Sequence, residues 1–537
     1  MVPKLFKIFL LAAFCFSFSL FGSAQTTLTI LHTNDTHSAL FAFGPWENYG
    51  GIARMSTLIK EIKAKNQNVL ALNAGDVFVG SFEFNKYLGY PELEITQGLY
   101  DAMCLGNHEF DLGLDALLGV LSGQLAGDSP ITLPVLCANI DLFAHPALQN
   151  FVKPFMVKQV GSLKIGIFGV VNKDPQNYSP DVAGLLLNPF QAAGETAYRL
   201  KNAEGCALVI CLSHLGTASD IQGLSQVPGI DVIVGGHSHD VFDQPQVQGG
   251  KIIVQAGEFG LYLGELKLKI NGGKVKLEKY TLHSINEKIR RDLTLLPKLA
   301  FLGAGIMLDP RFGPVYLKGV AWATKDLEKK WAPGSPNRDT PLGNLVADAL
   351  KKGVKARGFA ADIAMEANGY MAYKINKGRV VGNDVMRVVP YGYDPVSGLG
   401  FKIKSVRLYG AQILAGLEYS VTYVEYTDEL SLQVSGLEFK YDSSKPPAES
   451  IGQISRLDPF SVKVNGQPII PDGLYWVALN EQLLNFLQAN GLVPSDTADT
   501  GLFEYNLVRD YMDKLNILDY SSEGRIVDTR GQTQKKY

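Results

Sequence analysis

At 537 residues the chain is longer than one hydrophobic core organises, so two large domains are expected. Hydrophobic residues make up 46% and charged residues 19%, the balance of a folded globular protein and not of a disordered one. A formal net charge of −3 gives no general basic field for a nucleic acid polymer, so an anionic ligand must be small and gripped locally.

Lys4 and Lys7 precede an apolar run from Ile8 to Phe21, and Gly22-Ser23-Ala24 then supplies small residues suited to a signal peptidase. Residues 1–24 therefore read as a cleaved secretory signal. The run is shorter than the roughly 20 residues of a spanning helix, so no stable membrane insertion is expected after cleavage. The mature protein is expected to be exported, periplasmic or secreted. Cys104, Cys137, Cys206 and Cys211 all lie in apolar, strand-like stretches and read as buried free thiols.

From residue 25 to 285 short apolar runs alternate with polar or helix-like segments. They include LTIL at 28–31, VLAL at 69–72, KIGIFGVV at 164–171, ALVICL at 207–212 and DVIVGG at 231–236. Such runs, rich in Val and Ile, suit strands buried on both faces of an α/β domain, with polar residues just past the strand ends. The pattern loosens over 286–333, read as a linker region. Gly-Ser-Pro-Asn at 334–337 and an amphipathic helix over 342–354 open a second mixed α/β domain, 334–530.

Five motifs carry the chemistry: Asn34-Asp35-Thr36-His37, Gly75-Asp76, Gly106-Asn107-His108-Glu109-Phe110-Asp111, Ser213-His214 and Gly236-His237-Ser238-His239. Five of the eight histidines fall within them, a concentration that isolated helix caps or surface residues do not explain. Divalent metals take imidazole nitrogen and carboxylate or amide oxygen. Asp-x-His and His-x-His place two side chains on one side of an extended segment. A carboxylate such as Asp76 can bridge two ions ~3.5–4 Å apart, the spacing of two-metal phosphoester hydrolysis.

In this order the motifs resemble those of calcineurin-like metallophosphoesterases, and among them the bacterial 5′-nucleotidases. The resemblance implies a four-layer α/β/β/α catalytic sandwich followed by a substrate-recognition domain. It implies that Asp35, His37, Asp76 and His239 bind one metal, and that Asp76, Asn107, His214 and His237 bind the other, with Mn, Zn or Co as the ions. His108 is then the catalytic histidine, acting on the phosphoryl group or leaving oxygen, with Asp111 fixing its tautomer. Glu109 and Phe110 serve the fold.

The second half resembles the family's C-terminal domain. Arg338-Asp-Thr-Pro-Leu-Gly-Asn resembles a phosphate-gripping segment, Asn368-Gly369 the start of its Asn-Gly-Gly-Gly-Ile-Arg loop, and Pro390-Tyr391-Gly392 and Asn485-Phe486-Leu487 the two aromatics that sandwich a base. Two departures stand out. Tyr373 occupies the place of the loop arginine, and Leu-Gln-Ala-Asn-Gly-Leu-Val follows Phe486 where Gly-Gly-Asp-Gly is usual. Arg379 or Lys374 could reach that space.

The resemblance thus implies an exported dinuclear-metal phosphohydrolase that removes phosphate from 5′-nucleotides by attack of a metal-bound hydroxide. Relatives acting on 2′,3′-cyclic nucleotides or nucleotide sugars are the alternative within the family. A metal-stabilised binding protein without catalysis is the alternative of another class, and the His108–Asp111 pair argues against it.

Overall fold

The computed structural model describes residues 26–530 except 126–128, 175–177, 272 and 426. The signal reading of residues 1–24 lies outside the described residues. Among the described residues no helix is long and apolar enough to cross a membrane.

Among the described residues the N-terminal domain holds thirteen strands: β1 Thr26–Thr33, β2 Val69–Asn73, β3 Ala102–Cys104, β4 Val135–Leu136, β5 Val152–Lys153, β6 Phe155–Val160, β7 Leu163–Val171, β8 Leu208–His214, β9 Val232–Gly235, β10 Gln246–Gln248, β11 Lys251–Val254, β12 Tyr262–Asn271 and β13 Lys274–Ser284. They form two sheets, ordered β13-β12-β1-β2-β3-β4-β5 and β10-β11-β9-β8-β7-β6. Alternation along each strand decides the layering. Leu28, Ile30, Leu70 and Leu72 of the first sheet meet Ile165, Ile167, Leu208 and Ile210 of the second in one buried core.

The opposite faces bury separately. Leu31, Ala71 and Met103 pack beneath helices Ile52–Lys65 and Leu114–Leu121. Phe168, Val170 and Val209 pack against Ala193, Ala197 and Leu200 of helix Pro189–Asn202. The result is an α/β/β/α sandwich whose strands are apolar on both faces because both are covered. Within it β1, β2 and β3 run parallel, as do β7, β8 and β9. Their carboxyl ends lead into the five motifs.

The C-terminal domain is built on a five-stranded sheet in the spatial order Leu432–Ser435, Ile363–Ala367, Leu474–Asn480, Lys402–Tyr409, Asp496–Phe503. Helix Pro341–Ala356 packs on it, with Pro341 in its first turn and the Thr340 hydroxyl accepting from Gly343 N at 2.9 Å. The segment 286–333, expected as a linker, is folded. It carries helix Leu296–Leu308 and strand Gly319–Ala323, which pairs with Gly378–Val381 and Ile517–Leu518. The second domain therefore takes in residues before 334.

The domains are docked together. Phe82 of helix Phe82–Tyr87 is fully buried among C-terminal residues, 5.0 Å from the Phe312 ring and 5.4 Å from Tyr505. Asn383 accepts from Phe82 N at 3.1 Å and donates to Glu83 Oε1 at 3.3 Å. Cys104, Cys137, Cys206 and Cys211 are buried and free.

Candidate metal centre

Two clusters of donors form where the strands end. Ligand atoms of Asp35, His37 and His239 lie within 4.8 Å of one another, as do those of Asp76, His214 and His237. The clusters adjoin: His214 Nε2 is 3.0 Å from Asp76 Oδ2 and 3.8 Å from Asp35 Oδ1. Asp35, His37, Asp76 and His214 are buried.

The backbone that presents them is not extended, as Asp-x-His and His-x-His suggested. Asp35, His37, Asp76, His237 and His239 all have positive φ, between 46° and 74°. Side chains other than Gly adopt this region only when the surroundings enforce it, and such strain collects at functional sites. Close approach sets the glycines: a Cβ on Gly106 would lie 2.2 Å from Asp76 Oδ1.

Three of the four rings are aimed by a partner behind them. His37 Nδ1 lies 3.2 and 3.1 Å from the carbonyls of Phe78 and Val79, and His214 Nδ1 lies 2.7 Å from that of Ala74. His239 Nδ1 is 2.5 Å from Glu258 Oε2. Acceptors at the Nδ1 atoms of these three rings place the proton there and turn their Nε2 lone pairs inward. His37 Nε2 and His239 Nε2 then face each other at 3.0 Å, and His214 Nε2, buried without a hydrogen bond, faces the Asp76 carboxylate. Lone pairs opposed to lone pairs and to anions require positive charge between them. The protonation balance agrees. Burial alone lowers an imidazole's pKa, yet Asp76 pushes that of His214 up to about 10. The donor set therefore fits divalent cations.

Buried side chains hold the loops. Glu109 Oε2 accepts from Gly106 N at 2.6 Å and Asp76 N at 3.0 Å, and its Oε1 accepts from Val77 N at 2.7 Å. One carboxylate thus ties the Asp76 loop to the Asn107 loop. Asn34 Nδ2 donates to Asp35 Oδ2 at 2.6 Å. Asn107 is buried beside Asp76, its Oδ1 accepting from Asn172 Nδ2 at 3.1 Å.

His108 is not among the grouped donors but sits beside Asp76. Its amide donates to Asp76 Oδ1 at 2.9 Å, its Nδ1 meets Asp111 Oδ2 at 2.9 Å, and its Nε2 is 3.9 Å from Asp76 Oδ2. Burial opposes its protonation, but Asp111 and Asp76 outweigh this and push its pKa up to about 9.

The C-terminal residues are placed unevenly. Tyr391 stacks on His108. Asn368 is fully buried with neither side-chain atom hydrogen-bonded. Phe486 packs on Tyr419, ring centroids 5.2 Å apart, and not on Tyr391. Arg338 pairs with Asp528 at 3.2 Å and lies over Trp331, so its contacts stay within its own domain. Tyr373 is buried between Phe43 and Phe259 at 5.4 and 5.0 Å. Neither cation suggested for its place reaches it: Lys374 pairs with Asp326 and Glu328, and Arg379 donates to Leu317 O. Sequence reasoning missed Glu258, although its place in QAGEFG, just past a strand parallel to β9, was a signal of the same kind as the motifs.

Residues 28–241 match the family described as calcineurin-like phosphoesterase, and residues 323–488 match the 5′-nucleotidase C-terminal domain. A trifunctional nucleotide phosphoesterase of Bacillus subtilis is 28% identical over 95% of this chain, which spans only 35% of that longer protein. A 5′-nucleotidase of Diplobatis ommata is 27% identical, with 96% of this chain and 92% of the relative covered. The crystal structure of a 5′-nucleotidase precursor from Thermus thermophilus superposes with a TM-score of 0.79 at 29% identity, covering 94% of this chain and 99% of that one.

Proposed function

The chain belongs to the calcineurin-like phosphoesterases that carry a 5′-nucleotidase C-terminal domain, a family of metal-dependent phosphoesterases, and from that premise we propose that it removes phosphate from 5′-nucleotides at a two-metal centre. The observation that carries this is the inward convergence of His37, His214 and His239 Nε2 on the Asp35 and Asp76 carboxylates. Asp35, His37, Asp76 and His239 would hold one ion, and Asp76, Asn107, His214 and His237 the other. Bound there, Mn, Zn or Co would supply Lewis acidity toward the phosphoryl oxygens and make water acidic enough to attack.

The chain's own residues do the rest. His108 Nε2 would deliver a proton to the leaving oxygen, while Asp111 holds the other ring nitrogen. Asn368 offers unpaired amide atoms to a ligand, and Tyr391 covers His108 from the C-terminal side, where the nucleoside would leave. Phe486 and Arg338 would join only after leaving their present partners. A second reading, in which cyclic nucleotides or nucleotide sugars are the better substrates, keeps the same metal site and differs only in these C-terminal contacts. Export rests on the pattern of residues 1–24.

Rates on nucleoside monophosphates, 2′,3′-cyclic nucleotides and nucleotide sugars with each metal decide between the readings. Fastest release from a 5′-monophosphate supports the first. Absence of hydrolysis throughout the panel refutes both.

A further inference from the structure

Gln255 directly follows β11, whose Val254 lies beside Val234 of β9, and it is buried. Its Oε1 accepts from Asp240 N at 2.5 Å and from Ser238 Oγ at 3.1 Å. Its Nε2 donates to Thr217 Oγ1 at 3.3 Å and to Gly236 O at 3.4 Å. The two backbone partners fix the amide's orientation, since an N–H can face only the oxygen and a carbonyl only the nitrogen.

The hydroxyls then close a ring of hydrogen bonds. Thr217 Oγ1 accepts from the amide and donates to Ser238 Oγ at 2.9 Å, and Ser238 Oγ donates back to Oε1. The ring joins the segments that follow β8, β9 and β11. Gly235 leaves room for it, because a Cβ there would lie 3.2 Å from Gln255 Nε2.

Three residues bonded to this amide, Gly236, Ser238 and Asp240, alternate with His237 and His239, which belong to different donor clusters. His237 is placed through its backbone, whose N donates to both oxygens of Asp35, at 3.1 and 3.0 Å. His237 and His239 have φ of 74° and 56°, a conformation that such residues keep only where the surroundings enforce it.

We infer that Gln255 is a positioning residue whose amide locks the loop 236–240 and thereby sets His237 and His239 for both ions at once. This rests on the two-metal reading. An apolar side chain of the same length would leave the amide of Asp240 and the carbonyl of Gly236 without this partner, and the loop free to relax.

The test compares the full chain with Gln255→Met, Ser238→Ala and the double variant. Mn²⁺ is titrated calorimetrically into metal-stripped protein, and visible absorption is recorded with Co²⁺ bound. Gln255→Met is expected to weaken both ions about 10–100-fold, the usual loss when a partner behind ligating histidines is removed. Its Co²⁺ spectrum should change, reporting altered ligand geometry, as a loss of stability alone would not. Ser238→Ala should weaken both ions several-fold, and the double variant should lose no more than Gln255→Met, because both belong to one ring. If Gln255→Met does not fold, the constants of Ser238→Ala decide. Both constants within twofold of wild type with an unchanged spectrum would overturn the inference. So would weakening of one ion alone, or losses in the double variant equal to the product of the single ones. A wild-type chain that binds two ions but hydrolyses no phosphate ester would sink the catalytic reading and leave the inference to the metal constants.

Discussion

The phenol ring of Tyr391 lies flat on the imidazole of His108, their centroids 4.9 Å apart and their planes 10° from parallel. One ring comes from each domain, so the residue placed as a base-stacking plate also braces the proposed proton donor. Loss of such a stacked pair costs about 1 kcal/mol beyond area, roughly a factor of five. Tyr391→Ala is therefore expected to lower kcat several-fold even on a small aryl phosphate, and to raise KM on adenosine 5′-monophosphate as well. Tyr391→Phe should keep most of both. An aryl phosphate kcat unchanged in Tyr391→Ala would show that the contact does not support His108.

His108 belongs to neither donor cluster, so its removal should spare the metals. His108→Ala is expected to reduce kcat about 10²–10⁴-fold with metal content intact, because a positioned proton donor contributes that much. Asp111→Asn should do the same more mildly by loosening the tautomer. Elemental analysis of the His108 variant decides: loss of an ion would make it a ligand.

Glu258 backs only one of the two clusters. Its carboxylate touches His239 Nδ1 at 2.5 Å and no other ring nitrogen of the site. Glu258→Gln should weaken one metal about 10–100-fold and leave the other unchanged, since partners behind ligating histidines are worth that much. A two-phase metal titration reads this directly. Equal weakening of both ions would contradict it.

How much of this was legible in sequence follows from how local each constraint is. Metal chemistry demands particular side chains at strand ends, so Asp35, Asp76, His214 and the His-x-His pair announced themselves. The left-handed backbone at those residues did not, because nothing in Asp or His requires it. Glu258 was missed because an acceptor for His239 Nδ1 can come from any part of the chain. Strand Gly319–Ala323 was missed because its partners at 378–381 and 517–518 are remote in sequence. The Tyr391–His108 stack and the burial of Tyr373 depend on how two domains dock, which no single-segment pattern encodes.

Away from the site, Glu366 and Glu504 are two buried carboxyls near enough to repel one another. Burial, then mutual repulsion, pushes Glu366 well above the ordinary range, and burial pushes Glu504 from 4.5 to about 7. The folded chain therefore binds these protons more tightly than the unfolded chain. The stabilisation is complete below pH ~4.5 and is lost as pH rises through about 7 and beyond. Glu366→Gln should flatten the fall in Tm between pH 5 and 8. A slope equal to wild type would place that pH dependence elsewhere.

The central claim is that two ions held by these clusters perform the hydrolysis. The direct measurement is phosphate release from adenosine 5′-monophosphate by chelator-stripped protein as Mn²⁺ is titrated back. The account predicts no release from the stripped protein and activity that saturates at two equivalents, with Asp76→Ala inactive throughout. Full release in excess chelator, from protein with no metal by elemental analysis, would contradict it.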